Sequence, residues 1–146
     1  MESACDLPTS CVLPVLKSPH YYQVFRISQD DKNRWALLVD PTLGHAALTC
    51  CVEIFDEGGR TPSHRHQVAV EMFYVIQGEG RVVCDGKTST IRTGDSILVP
   101  SHGIPYVENI SPHRLYLLSV MVPNEDLAEL IRQGIPAELA EQYLAV

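Results

Sequence analysis

The middle of this chain is a series of short runs rich in Val, Ile, Tyr, Phe and Thr, separated at short intervals by Gly, Pro, Asp and Asn. The runs are YYQVFRI from Tyr21, RWALLV from Arg34, AALTCCVEIF from Ala46, EMFYVIQ from Glu71, RVVC from Arg81, SILV from Ser96, YVENI from Tyr106 and RLYLLSVMV from Arg114. Asp85-Gly86, Gly94-Asp95 and QGEG at 77–80 supply the turn residues of tight reversals, glycine providing the positive φ. Strands in such number, with so little helix between them, must close on themselves or pack as two sheets to remove their edges. The expectation is an all-β fold, and 146 residues fit one domain.

The ends differ from the middle. Residues 1–20 read as an irregular, proline-broken arm. After Pro123 the pattern becomes helical: Asn124 can cap, Glu125 and Asp126 lie in the first turn, Leu127, Leu130 and Ile131 share a face, and Gly134 can end it. A second short helix is expected from Pro136, with Leu139 and Tyr143 on one stripe. This tail, 124–146, is expected to cover one end of the barrel.

A net charge of −7, with no basic run, argues against nucleic acid as a partner. No apolar stretch approaches the roughly 20 residues of a membrane span, and MESACDLPTSCVLPVLKSP has no basic start or unbroken apolar run of signal type. A cytoplasmic protein is expected. The five cysteines form no C-x-x-C pair and read as reduced, mostly buried thiols.

Within GGRTPSHRHQVAVEMFYVIQGEG, residues 58–80, His64 and His66 stand at i and i+2 and so project from one face of an extended strand, where two imidazoles can grip one cation. Glu71 opens the next run and can complete a three-point cap on a divalent metal. Phe73 and Val75 share its parity and should line the interior; Tyr106 and Tyr116 are candidates for the remaining wall of a substrate pocket. Arg65 alternates with the histidines and should point away.

The spacing Gly58, His64, His66, Glu71, Gly78 resembles the first conserved motif of the cupin superfamily. A second motif of that superfamily is partly matched: Gly94-Asp95, Pro100 and Asn109 fall in place, while His102 stands where glycine is expected and Pro105 where the fourth metal-binding histidine is expected. The resemblance covers roughly 45–122. It implies a double-stranded β-helix, or jelly-roll, barrel, a divalent ion (Fe, Mn, Ni or Zn), a small-molecule ligand, and a homodimer formed through an edge strand or swapped arm, for which CVLPVL at 11–16 is the expected crossing segment.

Proline has no side-chain donor and ligates nothing. Three arrangements stay open: His64, His66 and Glu71 hold the metal with positions left for water or substrate; His102 replaces the missing imidazole; or the three side chains serve only as hydrogen-bonding groups. The function classes run in parallel. An enzyme of dioxygenase, isomerase or lyase type would use Glu71 as a base, a binding or sensing module would hold its ligand unchanged, and a purely structural barrel would use neither.

Overall fold

The computed structural model describes residues 14–44, 46–62 and 66–139. Among the described residues a 3-10 turn at Pro19–Tyr21 leads into ten strands: β1 Gln23–Arg26, β2 Asn33–Val39, β3 Thr49–Phe55, β4 Val70–Gln77, β5 Glu79–Cys84, β6 Lys87–Arg92, β7 Ser96–Val99, β8 Pro105–Glu108, β9 Leu115–Val122 and β10 Ile135–Ala137. One helix, α1, spans Leu127–Arg132. The strands form two antiparallel sheets, a seven-stranded one in the order β10-β1-β2-β3-β9-β4-β7 and a three-stranded one in the order β6-β5-β8. This is the two-sheet all-β architecture expected of the runs.

Alternation decides what each strand puts inside. Phe55, Phe73, Val75, Leu115 and Leu117 of the large sheet pack against Val82, Ile91 and Val107 of the small one, so the two sheets share an apolar core. Toward one end a second cluster forms from Phe25, Trp35, Leu37, Cys51, Ala69 and Met121, and α1 closes it with Leu127, Ala128 and Ile131. α1 thus covers that end, and residues 140–146 of the expected tail lie outside the described residues.

Two details differ from the sequence expectation. Strand β6, KTSTIR, carries one inward apolar residue, Ile91, and its polar remainder hides it from a reading based on apolar runs; its pairing with β5 from Glu79↔Arg92 to Cys84↔Lys87 makes it a strand. No second helix starts at Pro136. Ile135–Ala137 instead pairs with β1, Val24↔Ala137 to Arg26↔Ile135, because β1 otherwise leaves an open edge. Tyr143 lies outside the described residues, and Leu139 packs by Ile54 and Tyr116 on the outer face.

The connections carry their own constraints. Gly78 sits at φ 112, and a Cβ there would lie 2.7 Å from the Arg114 carbonyl oxygen, so glycine alone fits this hairpin corner. Of the expected dimer segment, residues 11–13 lie outside the described residues, and Pro14–Leu16 are exposed.

Candidate functional site

β3, β9 and β4 stand side by side, and their inward positions place polar groups between the two apolar clusters. Cys51 faces Ser119 across β3 and β9, while Ser119 faces Phe73 and Met121 faces Glu71 across β9 and β4. The Ser119 hydroxyl donates to Glu71 Oε2 at 2.7 Å, and the other oxygen, Oε1, lies 3.0 Å from His66 Nε2. His66 is 0% and Glu71 3% exposed. A carboxylate held at one oxygen and presented to an imidazole at the other is an ordered arrangement, since both of its rotatable ends are fixed.

Two backbone devices fix the segment that carries His66. Glu125 accepts N–H bonds from Gln67 (2.8 Å, Oε2), Val68 (2.7 Å, Oε1) and Ala69 (2.8 Å, Oε1). These three donors hold the Glu125 carboxyl below the usual carboxylate range. On the other side, the His102 N–H donates to the His66 carbonyl oxygen at 2.7 Å. His102 adopts φ 71, a left-handed conformation that glycine takes without cost and other residues rarely enter.

The expected site residues are thus distributed as follows. His66 and Glu71 are brought together. His64, with Arg65, lies outside the described residues. The His102 side chain is exposed and its contribution is through the backbone; among the described residues no three of His, Cys, Asp and Glu converge into a metal-holding group, so His102 does not join His66 and Glu71. Pro105 is buried and shares the inward face of β8 with Val107, which presents an apolar ring where an imidazole would otherwise project. Phe73 faces the interior at 3% exposure. Tyr106 and Tyr116 differ from the expectation. Tyr106 alternates with inward Pro105 and Val107 and lies under the Arg60 guanidinium, 3.7 Å from its ring centroid. Tyr116 alternates with inward Leu115 and Leu117 and packs with Ile54. Neither ring lines the interior, because strand parity is set by the residue at which each strand begins.

The arrangement fits a divalent ion on geometric grounds. Two ligands bonded at about 2.1 Å and at right angles are themselves about 3 Å apart, which is the His66 Nε2 to Glu71 Oε1 separation of 3.0 Å. The same separation is that of an imidazole–carboxylate hydrogen bond, and Ser119 orients the carboxylate from behind.

Sequence reasoning missed a second buried carboxyl. Glu53, 0% exposed, faces inward from β3 and accepts a bond from Asn33 Nδ2 at 2.6 Å. Burial pushes its pKa well above the usual carboxylate range, Asn33 working against this and the Glu71 charge adding to it. The same surroundings push the Cys51 thiol up, by burial first and then by the charges of Glu53 and Glu71. The signal was present in TCCVEIF: one acid inside an apolar strand, in phase with Cys51 and Phe55.

Residues 51–121 match the family model of the cupin domain. A 66-residue stretch is 29% identical to an uncharacterised protein of Methanocaldococcus jannaschii, covering 45% of this chain and 53% of that one, so the match spans about half the relative's length. Among solved structures, a predicted oxalate decarboxylase of Thermotoga maritima superposes with a TM-score of 0.67 at 22% identity, covering 75% of this chain and 99% of that one. An RmlC-like cupin from Shewanella frigidimarina gives 0.65 at 20% identity, covering 80% and 96%.

Proposed function

Given that this chain belongs to the cupin superfamily, we propose that it is a metal-dependent enzyme acting on a small polar molecule inside the barrel. The observation that carries this is the buried His66–Glu71 pair at 3.0 Å, with Ser119 on the far oxygen of the carboxylate. His66 and Glu71, with His64, would hold the ion. Fe, Mn, Ni or Zn bound there would supply Lewis-acid polarisation of a substrate oxygen and free coordination positions for it. Glu71 is the group assigned to proton transfer, its Oε1 serving as the base only when it is not holding the ion, because Ser119 keeps Oε2 in place. Phe73 and the apolar cluster beside it exclude water from that end.

The inward Pro105 favours a second reading, a module that binds its ligand without turnover, because it leaves the site one protein ligand short. Turnover against a panel of small keto acids, diols and sugars separates the two. The same proposal takes the protein as a cytoplasmic homodimer; the thiols of Cys50, Cys51 and Cys84 are free, as a reducing compartment keeps them.

The deciding experiment is elemental analysis by plasma mass spectrometry on untagged protein purified without chelator, alongside calorimetric titration with Zn and Fe. Wild type is expected to carry or take up a divalent ion, and His66→Ala to lose it while staying folded. A wild-type protein that binds neither metal at micromolar levels overturns the metalloenzyme reading.

A further inference from the structure

The two sheets differ on their outer faces. Outward positions of the small sheet are polar or ion-paired: Arg81 pairs with Glu108 and Arg92 with Glu79, and Thr88 and Thr90 stand beside them. That is the outside of a sheet that meets water. The large sheet does not follow this rule. Across β3, β9, β4 and β7 one outward row reads Cys50, Val120, Met72, Leu98, and the row beside it reads Val52, Leu118, Tyr74, Ser96. Val70 and Val122 pair at the end of the same face. Leu98 is 68%, Val122 46% and Tyr74 42% exposed. None of the outward positions of these four strands carries a charge.

An apolar face of this extent marks a surface that a partner covers. At about 3.3 Å per residue and about 4.8 Å between strands, the four strands present a flat footprint of about 430 Å². The accessible surface of a face that bears side chains exceeds its footprint, which brings the patch to the scale of the smaller stable interfaces, about 600 Å² per partner. Composition selects the partner: transient interfaces between different proteins are about as polar as the rest of the surface, whereas homodimer interfaces are more apolar. Charge selects the same one. The chain carries a net −7, so two copies repel over much of their surface, and on this face they can meet without burying a carboxylate. Two such faces related by a two-fold axis stack as the sheets of a sandwich do, each presenting the same side chains to the other.

We infer that the outer face of β3, β9, β4 and β7 is a homodimer interface, with a second copy of this chain stacked on it sheet to sheet and Met72 and Tyr74 near its centre. The inference rests on the homodimer half of the proposed function, is independent of the metal, and puts a sheet face in place of an exchanged 11–16 segment as what holds the pair.

Sedimentation velocity across micromolar concentrations tests it. Wild type is expected to run as a dimer. Met72→Glu and, further along the same row, Leu98→Lys each place a lone charge in the interface and are expected to weaken association about a hundredfold or more, the scale of an uncompensated buried charge. Both residues are exposed in the single chain, so the fold tolerates the change, and circular dichroism confirms it; should Met72→Glu be unstable, Leu98→Lys carries the test alone. Leu98→Lys also lowers the net negative charge, so general repulsion does not account for its effect. Thr90→Glu, on the outer face of the small sheet, is expected to remain a dimer. A wild-type dimer that Leu98→Lys leaves intact overturns the face and keeps the homodimer, which then forms elsewhere. A wild-type monomer overturns both, and the face then belongs to a different partner. Equal loss of the dimer in Thr90→Glu overturns the face as well, because association would then respond to charge anywhere on the surface.

Discussion

The two sheets enclose one interior but line it with opposite chemistry. From the large sheet Asn33, Thr49, Glu53, Glu71 and Ser119 point inward among apolar neighbours. From the small sheet the inward residues are Val82, Ile91, Pro105 and Val107. The expected fourth metal ligand falls on β8, in the small sheet, and there the chain carries proline. Polar chemistry has been confined to one wall, and the facing wall serves to exclude water, which strengthens every electrostatic contact opposite it.

The largest way to break this contrast is to put a carboxylate on the apolar wall. Val107→Glu should cost about 4 kcal/mol, the scale of an uncompensated buried charge, seen as a lowered urea midpoint. The polar wall should respond in the opposite sense. Folded Glu53 keeps its proton at pH values where the unfolded chain has released it, so its contribution to stability falls as pH rises from the unfolded carboxylate range toward its raised folded value. A single group of this kind gives a slope of up to about 1.4 kcal/mol per pH unit. Urea titrations from mildly acid to neutral pH should show that decline in wild type and a flatter profile in Glu53→Gln.

Restoring an imidazole to the small sheet sharpens the contrast further. Pro105→His should tighten Zn binding about tenfold, on the scale of outer-shell effects or above, while His102→Ala, whose side chain is exposed, should leave it nearly unchanged; calorimetry on both variants checks this. The smallest effect is expected at Glu125. Its lowered folded pKa means that its contribution is present above the ordinary glutamate range and is lost as pH falls through the folded value. Glu125→Gln should therefore matter at neutral pH and not in acid, as read by amide exchange of Gln67, Val68 and Ala69.

Legibility followed the same division. Runs with β-branched and aromatic content became strands within a few residues of their expected bounds, because apolar alternation is the main force that orders a sheet. KTSTIR escaped for want of that content. His66 and Glu71 were readable from the spacing of the motif, although His66 stands ahead of β4 and not on it, and Phe73 followed from the parity of Glu71. Tyr116 was not readable: RLYLLSVMV is apolar at both parities, so nothing local says which set faces in. Ser119 and Glu53 needed neighbours from other strands before their roles appeared. Glu125, read as an acid in its own helix's first turn, serves instead the backbone of a loop 56 to 58 positions earlier, a relation no local pattern contains.

That clasp changes what it would mean to dissect the protein. A chain cut after Val122 would keep β1 to β9, and with them His66, Glu71 and Ser119, and would look complete by any count of site residues. It would nonetheless have lost the carboxylate that gathers three amides of the segment between His66 and β4, and the apolar residues of α1 that stop one end of the barrel. The unit that fastens the His66–Glu71 pair is therefore longer than the barrel that carries its motifs, and grafting those motifs alone onto another scaffold would transfer the side chains without their fastening.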